Sequence, residues 1–579
     1  MSLTELPKLL RDDPAVTQVL GRSAAVLAVP EAARPVTIAG LTQVGSKQPL
    51  LVAVPTTAEA ERLANDLATF LGDDGVELFP AWETLPFERV SPGIETMGRR
   101  LRTVWRLRRA PEDRMPAVIV VPVRALVQKL GPLVDSVEPL VVSKGDTRDQ
   151  AKLVEWLGMA GYRREAQVEH RGEFAVRGSI VDVFPPTADG PVRIDMWGDE
   201  VDRLTSFSVS DQRSVADVER VEAFPCRELL PTDDVRERAE KLVALEPWGR
   251  EQWERLAEGQ LFDGMESWLP WLVDDHRTIV DVIPAGGQVI VVEPRRLRDR
   301  AADLLAEEAD LAATLARTWE VGHDRGFPTL HVEFSDLFTA SDLPVWTMTV
   351  TPDGPDVATV GAMGWNPVVG GGEGLTNQLR QLIDDGYRIV VAADSEASSV
   401  RLGALLREHG LELPVSVGAL ERGAILTGIK LAILAEPDVT GRRRAHRAPR
   451  PRKRDTAGFF DDLKPGDHVV HHQHGVARYK GMIKRAIGGV ERDYLLLEYR
   501  GDDKLYVPSD QIDAVRHYTG GDSPSLSRLG GGDWTKTKAK VKAEVQAVAQ
   551  ELVVLYQTRL HTAGHAAGVH RHNVSPHLQ

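Results

Sequence analysis

The dipeptide Gly-Lys occurs nowhere in the 579 residues. A phosphate-binding P-loop needs G-x-x-x-x-G-K-[ST], because its lysine and backbone N–H groups hold the nucleotide phosphates. An ATPase function would therefore need a motor outside this sequence. Cysteine is nearly absent too. Cys226 stands alone, which excludes an intrachain disulfide and any cysteine-based zinc site. No uninterrupted apolar run approaches ~18 residues, so no segment reads as a membrane span. The opening MSLTELPKLL lacks the charged start and long apolar stretch of a secretory leader, so the cytoplasm is the expected location. Basic residues are outnumbered: 70 Lys and Arg against 85 Asp and Glu leave a formal charge of −15. That argues against a protein that coats nucleic acid with its whole surface.

The 42% apolar and 27% charged residues fit a folded chain. At roughly 150 residues per domain, the length suggests about four domains. Leu50 to Val54 is a short apolar run, and Thr56 with Glu59 makes a capping box before a helical pattern through Leu71. Val118 to Val121 followed by Ala125 to Leu130 repeats the alternation, as in parallel α/β structure. From 150 to 210 the pattern changes to a short helix at 151–160 and then strands at 174–177, 180–184, 193–197 and 204–209, with Gly198-Asp199-Glu200 as a hairpin turn. Residues 213–340 are mixed, with helices around 234–257 and 295–317, and 344–440 is α/β again. The stretch GRRRAHRAPRPRKR at 441–454 holds eight Lys or Arg and no acid. It cannot bury a core and reads as a linker, with contact to nucleic-acid phosphates as the alternative. Short strands at 468–472, 476–483, 494–499 and 504–507 suggest a small barrel, and Val541, Val545, Val548, Leu552 and Leu555 make one helical stripe.

Four stretches together resemble the bacterial transcription-repair coupling factor family. They are LPFERVSPGIETMGRRLRTVWRL at 85–107, GYRREAQVEHRGEFAVRGSIVDVFPP at 161–186, DLKPGDHVVHHQHGVARYKGM at 462–482 with DYLLLEYRGDDKLYVP at 493–508, and LGGGDWTKTKAKVKAEVQAVAQEL from 529. The resemblance implies a multidomain α/β protein. Residues 1–136 and 213–342 would form a UvrB-like, degenerate, non-ATP-binding α/β core, with GSKQPLL at 45–51 standing where a P-loop would. Residues 137–212 would be an inserted α+β domain that binds UvrA. Residues 343–440 would be a second, small α/β domain, and 441–456 the linker. Residues 457–522 would be a small SH3/Tudor-like (CarD-like) β-barrel that binds the β subunit of RNA polymerase. Residues 533–560 would be a connecting helix and 561–579 a disordered tail.

The resemblance also implies that the full-length family member is an ATP-driven DNA translocase that displaces stalled polymerase. ATP and Mg belong to that motor, of which this sequence has no motif; it is therefore expected to be the N-terminal half, with no cofactor and no catalytic residue of its own. DNA contact is expected mainly through the motor, with no membrane partner.

Arg163, Arg164, Arg171 and Arg177 cluster around Phe174. An arginine-bearing strand face suits recognition of carboxylates, and the alternative is a solvated surface. The resemblance assigns Arg163, Phe174 and Arg177 to the UvrA contact. The segment 494–499 is apolar on both faces, so it is either a central strand or one awaiting a partner strand. The resemblance assigns Leu495, Leu496 and Leu497 to polymerase binding. His468, His471, His472 and His474 are numerous enough for a metal, but alternate strand positions face opposite ways, so no metal is expected there or at His561, His565, His570 and His572. Gly370, Gly371 and Gly372 precede a helix without the dinucleotide-binding spacing. Two rival functions remain: an ATPase of the UvrB kind, and a transcription regulator acting on polymerase alone.

Overall fold

The computed structural model describes residues 2–84, 86–87, 90–273, 276–318, 327–339, 341–365, 372–440, 465–471, 474–487, 490–501, 503–508, 515–517 and 525–529. The basic stretch 441–454, the apolar-striped helix predicted after Trp534 and the histidine-rich tail lie outside these residues. The chain divides into two compact units, Met1–Asp455 with Arg485–Glu491, and Thr456–Lys484 with Arg492–Gln579.

The first unit is built on a seven-stranded sheet. Its order is Ala358–Thr359, Ala24–Ala28, Val345–Thr349, Gln288–Val292, Leu50–Val54, Val118–Pro122, Val76–Leu78. All pairs are parallel. Helices cover both faces of such a sheet. That is why Leu50–Val54, Val118–Pro122 and, apart from Gln288 itself, Gln288–Val292 are apolar without alternation, and all three are buried at every position. The helix Thr57–Leu71 starts where the sequence pattern puts it. The Thr56 hydroxyl accepts from the Glu59 N–H at 3.1 Å and donates to the Glu59 carboxylate at 3.0 Å.

The segment 45–49 does not occupy a P-loop position. It follows the helix Arg34–Val44 and enters the strand Leu50–Val54 at its N-terminal end. Phosphate loops lie at the opposite edge, where a strand ends and a helix begins. Turns of that kind include 29–33, after the strand Ala24–Ala28, and 55–56, after Leu50–Val54; at the first of them Arg34 is ion-paired with Glu293.

Val345–Thr349 lies past the expected boundary at 343, yet it pairs in parallel with both Ala24–Ala28 and Gln288–Val292. A second, five-stranded sheet follows, in the order Ala362–Gly364, Ala424–Leu426, Leu431–Ala435, Arg388–Ala393, Val415–Val417. It shares one hydrophobic core with the first sheet, in which Val390, Leu420 and Ala424 join Leu3, Leu6 and Leu67. The Thr69 hydroxyl donates to the Ala419 carbonyl at 2.8 Å, and Asp66 accepts from the Glu421 N–H at 2.9 Å.

Between the strands Val118–Pro122 and Gln288–Val292 the chain leaves the parent sheet. It builds a six-stranded sheet in the order Ser214–Asp217, Glu200–Phe207, Val192–Trp197, Ile180–Val183, Glu173–Arg177, Arg163–Arg164. The pairs are antiparallel except the last. The helix Gln150–Met159 covers one face, with Leu153 and Leu157 packed beside Phe174, Val181 and Ile194. The turn after Trp197 falls at the predicted Gly198, whose φ of +62° a side chain would resist. Leu140–Ser143 pairs antiparallel with Arg220–Ala223, so the way in and the way out run side by side.

The second unit, described by itself, carries a five-stranded sheet. Its order is Lys504–Pro508, Val490–Glu498, Gly475–Ile487, His468–His471, Val515–His517.

Candidate functional site

Alternation in the strand Glu173–Arg177 separates Phe174 and Val176 from Ala175 and Arg177. Phe174 is 3% exposed, inside the core under the helix Gln150–Met159. It holds the strand in place and presents nothing to a partner, which corrects the direct contact expected of it. The second face is covered at the same end, where Val168, Phe184 and Phe207 close over Ala175. Arg177, one step on, emerges 44% exposed. Its Nη2 donates to Asp182 Oδ2 at 2.6 Å.

Asp182 is fully buried, and Arg193 grips it with two further bonds of 2.8 and 3.0 Å. A buried carboxylate is tolerated when charged donors satisfy it, and two guanidinium groups do so here. Neither Asp182 nor Arg193 was singled out from sequence. The one signal was an acid in the middle of the apolar run Ile180–Val183.

Arg163 forms the edge of this sheet with Arg164. Its N–H donates to the Gly172 carbonyl at 2.8 Å. Arg171, from the same cluster, turns elsewhere. Its Nη1 lies 3.6 Å from Glu95, and its guanidinium sits 5.2 Å from the centre of the Phe184 ring. Glu95 belongs to the helix Ile94–Arg108, so Arg171 joins the inserted sheet to the parent core. Gly98 of that helix meets Pro186 so closely that an added Cβ would lie 2.3 Å from the proline Cβ. The motifs at 85–107 and 161–186 are thus two halves of one contact.

The arginines of the helix Ile94–Arg108 are committed internally. Arg99 pairs with Glu95, Arg102 and Arg106 with Glu77, and Arg108 with Asp135. Arg100 is buried against Glu228 and lies 4.2 Å over the Phe79 ring. A run of arginines that looks basic in sequence is here tied into internal ion pairs, with Arg102 and Arg106 sharing Glu77.

Behind Arg163, Tyr162 donates to the Phe224 carbonyl at 2.8 Å and Cys226 is 1% exposed. Burial pushes the Cys226 thiol well up, against the pull of Arg227 and Arg163. A thiol without thiolate character is inert. Cys226 is therefore expected to resist a chromogenic disulfide reagent in native buffer and to react fully in denaturant. Reaction within seconds under native conditions would contradict this burial.

In the second unit, Val490–Glu498 lies between Gly475–Ile487 and Lys504–Pro508 in the strand order. The strand is an inner one with a neighbour on each side, and Lys504–Pro508 is the edge strand next to it. Leu495 and Leu497 are 0% exposed, so they form the interior, which corrects the direct contact expected of them. Leu496 points the other way, half-buried and paired across the sheet with Tyr506. Glu498 lies on the same face opposite Lys504. It accepts from Lys480 at 2.9 Å and lies 3.8 Å from Arg478. Met482 is 43% exposed and Lys484 is exposed. This face offers Leu496, Tyr506 and Met482 among Arg478, Lys480, Lys484 and Lys504.

His471 and His474 are buried and stacked at 4.6 Å, while His468 is half-buried. Among the described residues no group of three or more His, Cys, Asp or Glu could hold a metal ion. His472 lies outside those residues. Among the described residues no helix is long and apolar enough to cross a membrane.

These two surfaces coincide with known domain types. Residues 140–229 match the UvrB interaction domain, and residues 463–519 match the CarD-like/TRCF RID domain. The chain thus combines a DNA-repair interaction module with a CarD-like module. Over most of its length it is also similar to curated transcription-repair-coupling factors. The one from Mycobacterium tuberculosis is 36% identical over 599 residues, covering 93% of this chain and 48% of that relative. The Myxococcus xanthus protein is 31% identical, covering 90% and 48%, and the Bacillus subtilis protein is 27% identical, covering 90% and 47%. The chain spans about half the length of the curated relatives it matches, and the similarity runs over 90% or more of the chain itself.

Proposed function

We propose that this chain is the two-armed docking portion of a transcription-coupled DNA repair factor. The inserted six-stranded sheet recruits UvrA through Arg163 on its edge strand and Arg177 at the end of the strand beside it. The small five-stranded sheet binds the β subunit of RNA polymerase through the face that carries Leu496 and Tyr506. The observation that carries this reading is the presence of both module types on one chain homologous to the coupling factors. Tethering does the work: once one arm is engaged, the other sees its target at a raised effective concentration. The chain acts in the cytoplasm without a nucleotide of its own. The ATP- and Mg-dependent DNA translocase that displaces stalled polymerase, and most of the DNA contact, belong to the rest of the full-length protein. A regulator acting on polymerase alone would leave the UvrB interaction domain without a role.

The test is parallel binding of the chain to purified UvrA and to RNA polymerase, and retention on both is expected. Replacing Leu496 and Tyr506 together by serine removes apolar contact from the exposed face and spares the interior. It should weaken polymerase binding about 10-fold and leave UvrA binding unchanged. A chain that ignores both proteins would end this reading.

A further inference from the structure

The outer face of the inserted sheet carries an unusual amount of ordered charge. Ala175, Asp182, Arg193, Thr205 and Asp217 stand in register across five strands. The next row holds Arg177, Ile180, Asp195 and Arg203. Arg203 is occupied by Asp217 at 2.7 Å. Arg193 is 17% exposed and turned inward. Besides its two bonds to Asp182 it donates to the Gln212 carbonyl at 3.3 Å and lies 4.9 Å from the Phe207 ring centre. Asp182 therefore serves two guanidinium groups, and Arg193 alone already fills both of its oxygens. Arg177 is held by a single 2.6 Å bond and keeps most of its charge and donors for something outside.

Two residues along from Asp195, on the same face, stands Trp197. It is 83% exposed at the hairpin tip. An indole so open to water is rare on a surface that meets only solvent, and Trp and Arg are the side chains most enriched where protein interfaces draw their energy. Two strand spacings across and two residues along put the Arg177 and Trp197 positions roughly 12 Å apart on the sheet, within the span of one short peptide segment.

We propose that Arg177 and Trp197 form one docking patch for an acidic segment of the partner with an adjoining apolar side chain, and that Asp182, clamped by Arg193, is the positioning residue that aims Arg177. The inference rests on the UvrA reading and adds to it the chemistry of the segment and the residues that prepare the site. A guanidinium whose direction is fixed in advance loses less freedom on binding.

The test is a double-mutant cycle in the full chain, with purified UvrA as the probe and the melting temperature of each variant as the control. Arg177→Ala should weaken binding about 30-fold and flatten its salt dependence. Asp182→Asn should weaken it about 5-fold, and the double variant should be no weaker than Arg177→Ala alone. If Asp182→Asn does not fold, Arg193→Lys replaces it, because lysine keeps the charge and loses the two-pronged grip. Trp197→Ser should cost about 10-fold with no change in melting. Effects of Asp182→Asn and Arg177→Ala that multiply, or wild-type binding by Asp182→Asn or Trp197→Ser while Arg177→Ala is impaired, would overturn this proposal and leave the UvrA reading standing. Unchanged binding by Arg177→Ala would remove the UvrA reading at this edge as well.

Discussion

Replacing Arg163 and Arg177 together by alanine should lower affinity for UvrA at least ~100-fold, since buried arginine anchors at interfaces commonly contribute about 2 kcal/mol or more each. The fold should survive. Arg177 is 44% exposed, and Asp182 keeps its two bonds to Arg193 when Arg177 is removed. Arg163 contributes its backbone to the sheet edge, which alanine preserves. Calorimetric titration with UvrA, alongside thermal melting, checks both halves. Tight residual binding by a normally melting variant would refute the assignment. A variant that melts many degrees early would instead place these arginines in the folding of the sheet.

Leu497→Arg is expected to act differently, by destroying the small sheet. Leu497 is 0% exposed between two flanking strands. The substitution removes a buried leucine and forces a charge into its place, a loss of about 4 kcal/mol or more. Polymerase binding should vanish with the fold of the second unit. The inserted sheet lies within Met1–Asp455, which with Arg485–Glu491 forms the other compact unit, so UvrA binding should persist. Hydrogen exchange across 468–508 is the decisive measurement. Protected amides there in Leu497→Arg would show that the side chain has room to leave, and would return Leu497 to the contact surface.

The difference between these two variants marks what local pattern reveals. Periodicity located the helix Thr57–Leu71 and the strands Glu173–Arg177 and Val192–Trp197, because apolar spacing is a property of the segment itself. It also divided Phe174 from Arg177. It could not tell which face would be covered, since Val168, Phe184 and Phe207 arrive from elsewhere in the chain. In the same way, Leu495 and Leu497 read equally well as a central strand or a waiting edge. Only the antiparallel pairing with Lys504–Pro508 on one side and the place of Gly475–Ile487 on the other decide it. The strand Ser214–Asp217 was missed because every one of its positions is exposed, which leaves no apolar alternation to detect. Val345–Thr349 was recognisable as apolar, but its insertion between Ala24–Ala28 and Gln288–Val292 is a matter of topology.

The antiparallel ribbon of Leu140–Ser143 and Arg220–Ala223 gives the inserted module a doorway rather than two distant attachment points. A unit entered and left through adjacent strands can be transplanted between host proteins with little disturbance to either. Further ties to its host are the sidewall contacts of Gly98 with Pro186 and of Arg171 with Glu95, and the ion pair of Arg114 with Glu222. A transplant that kept the doorway and lost that sidewall would carry its partner on a swivel.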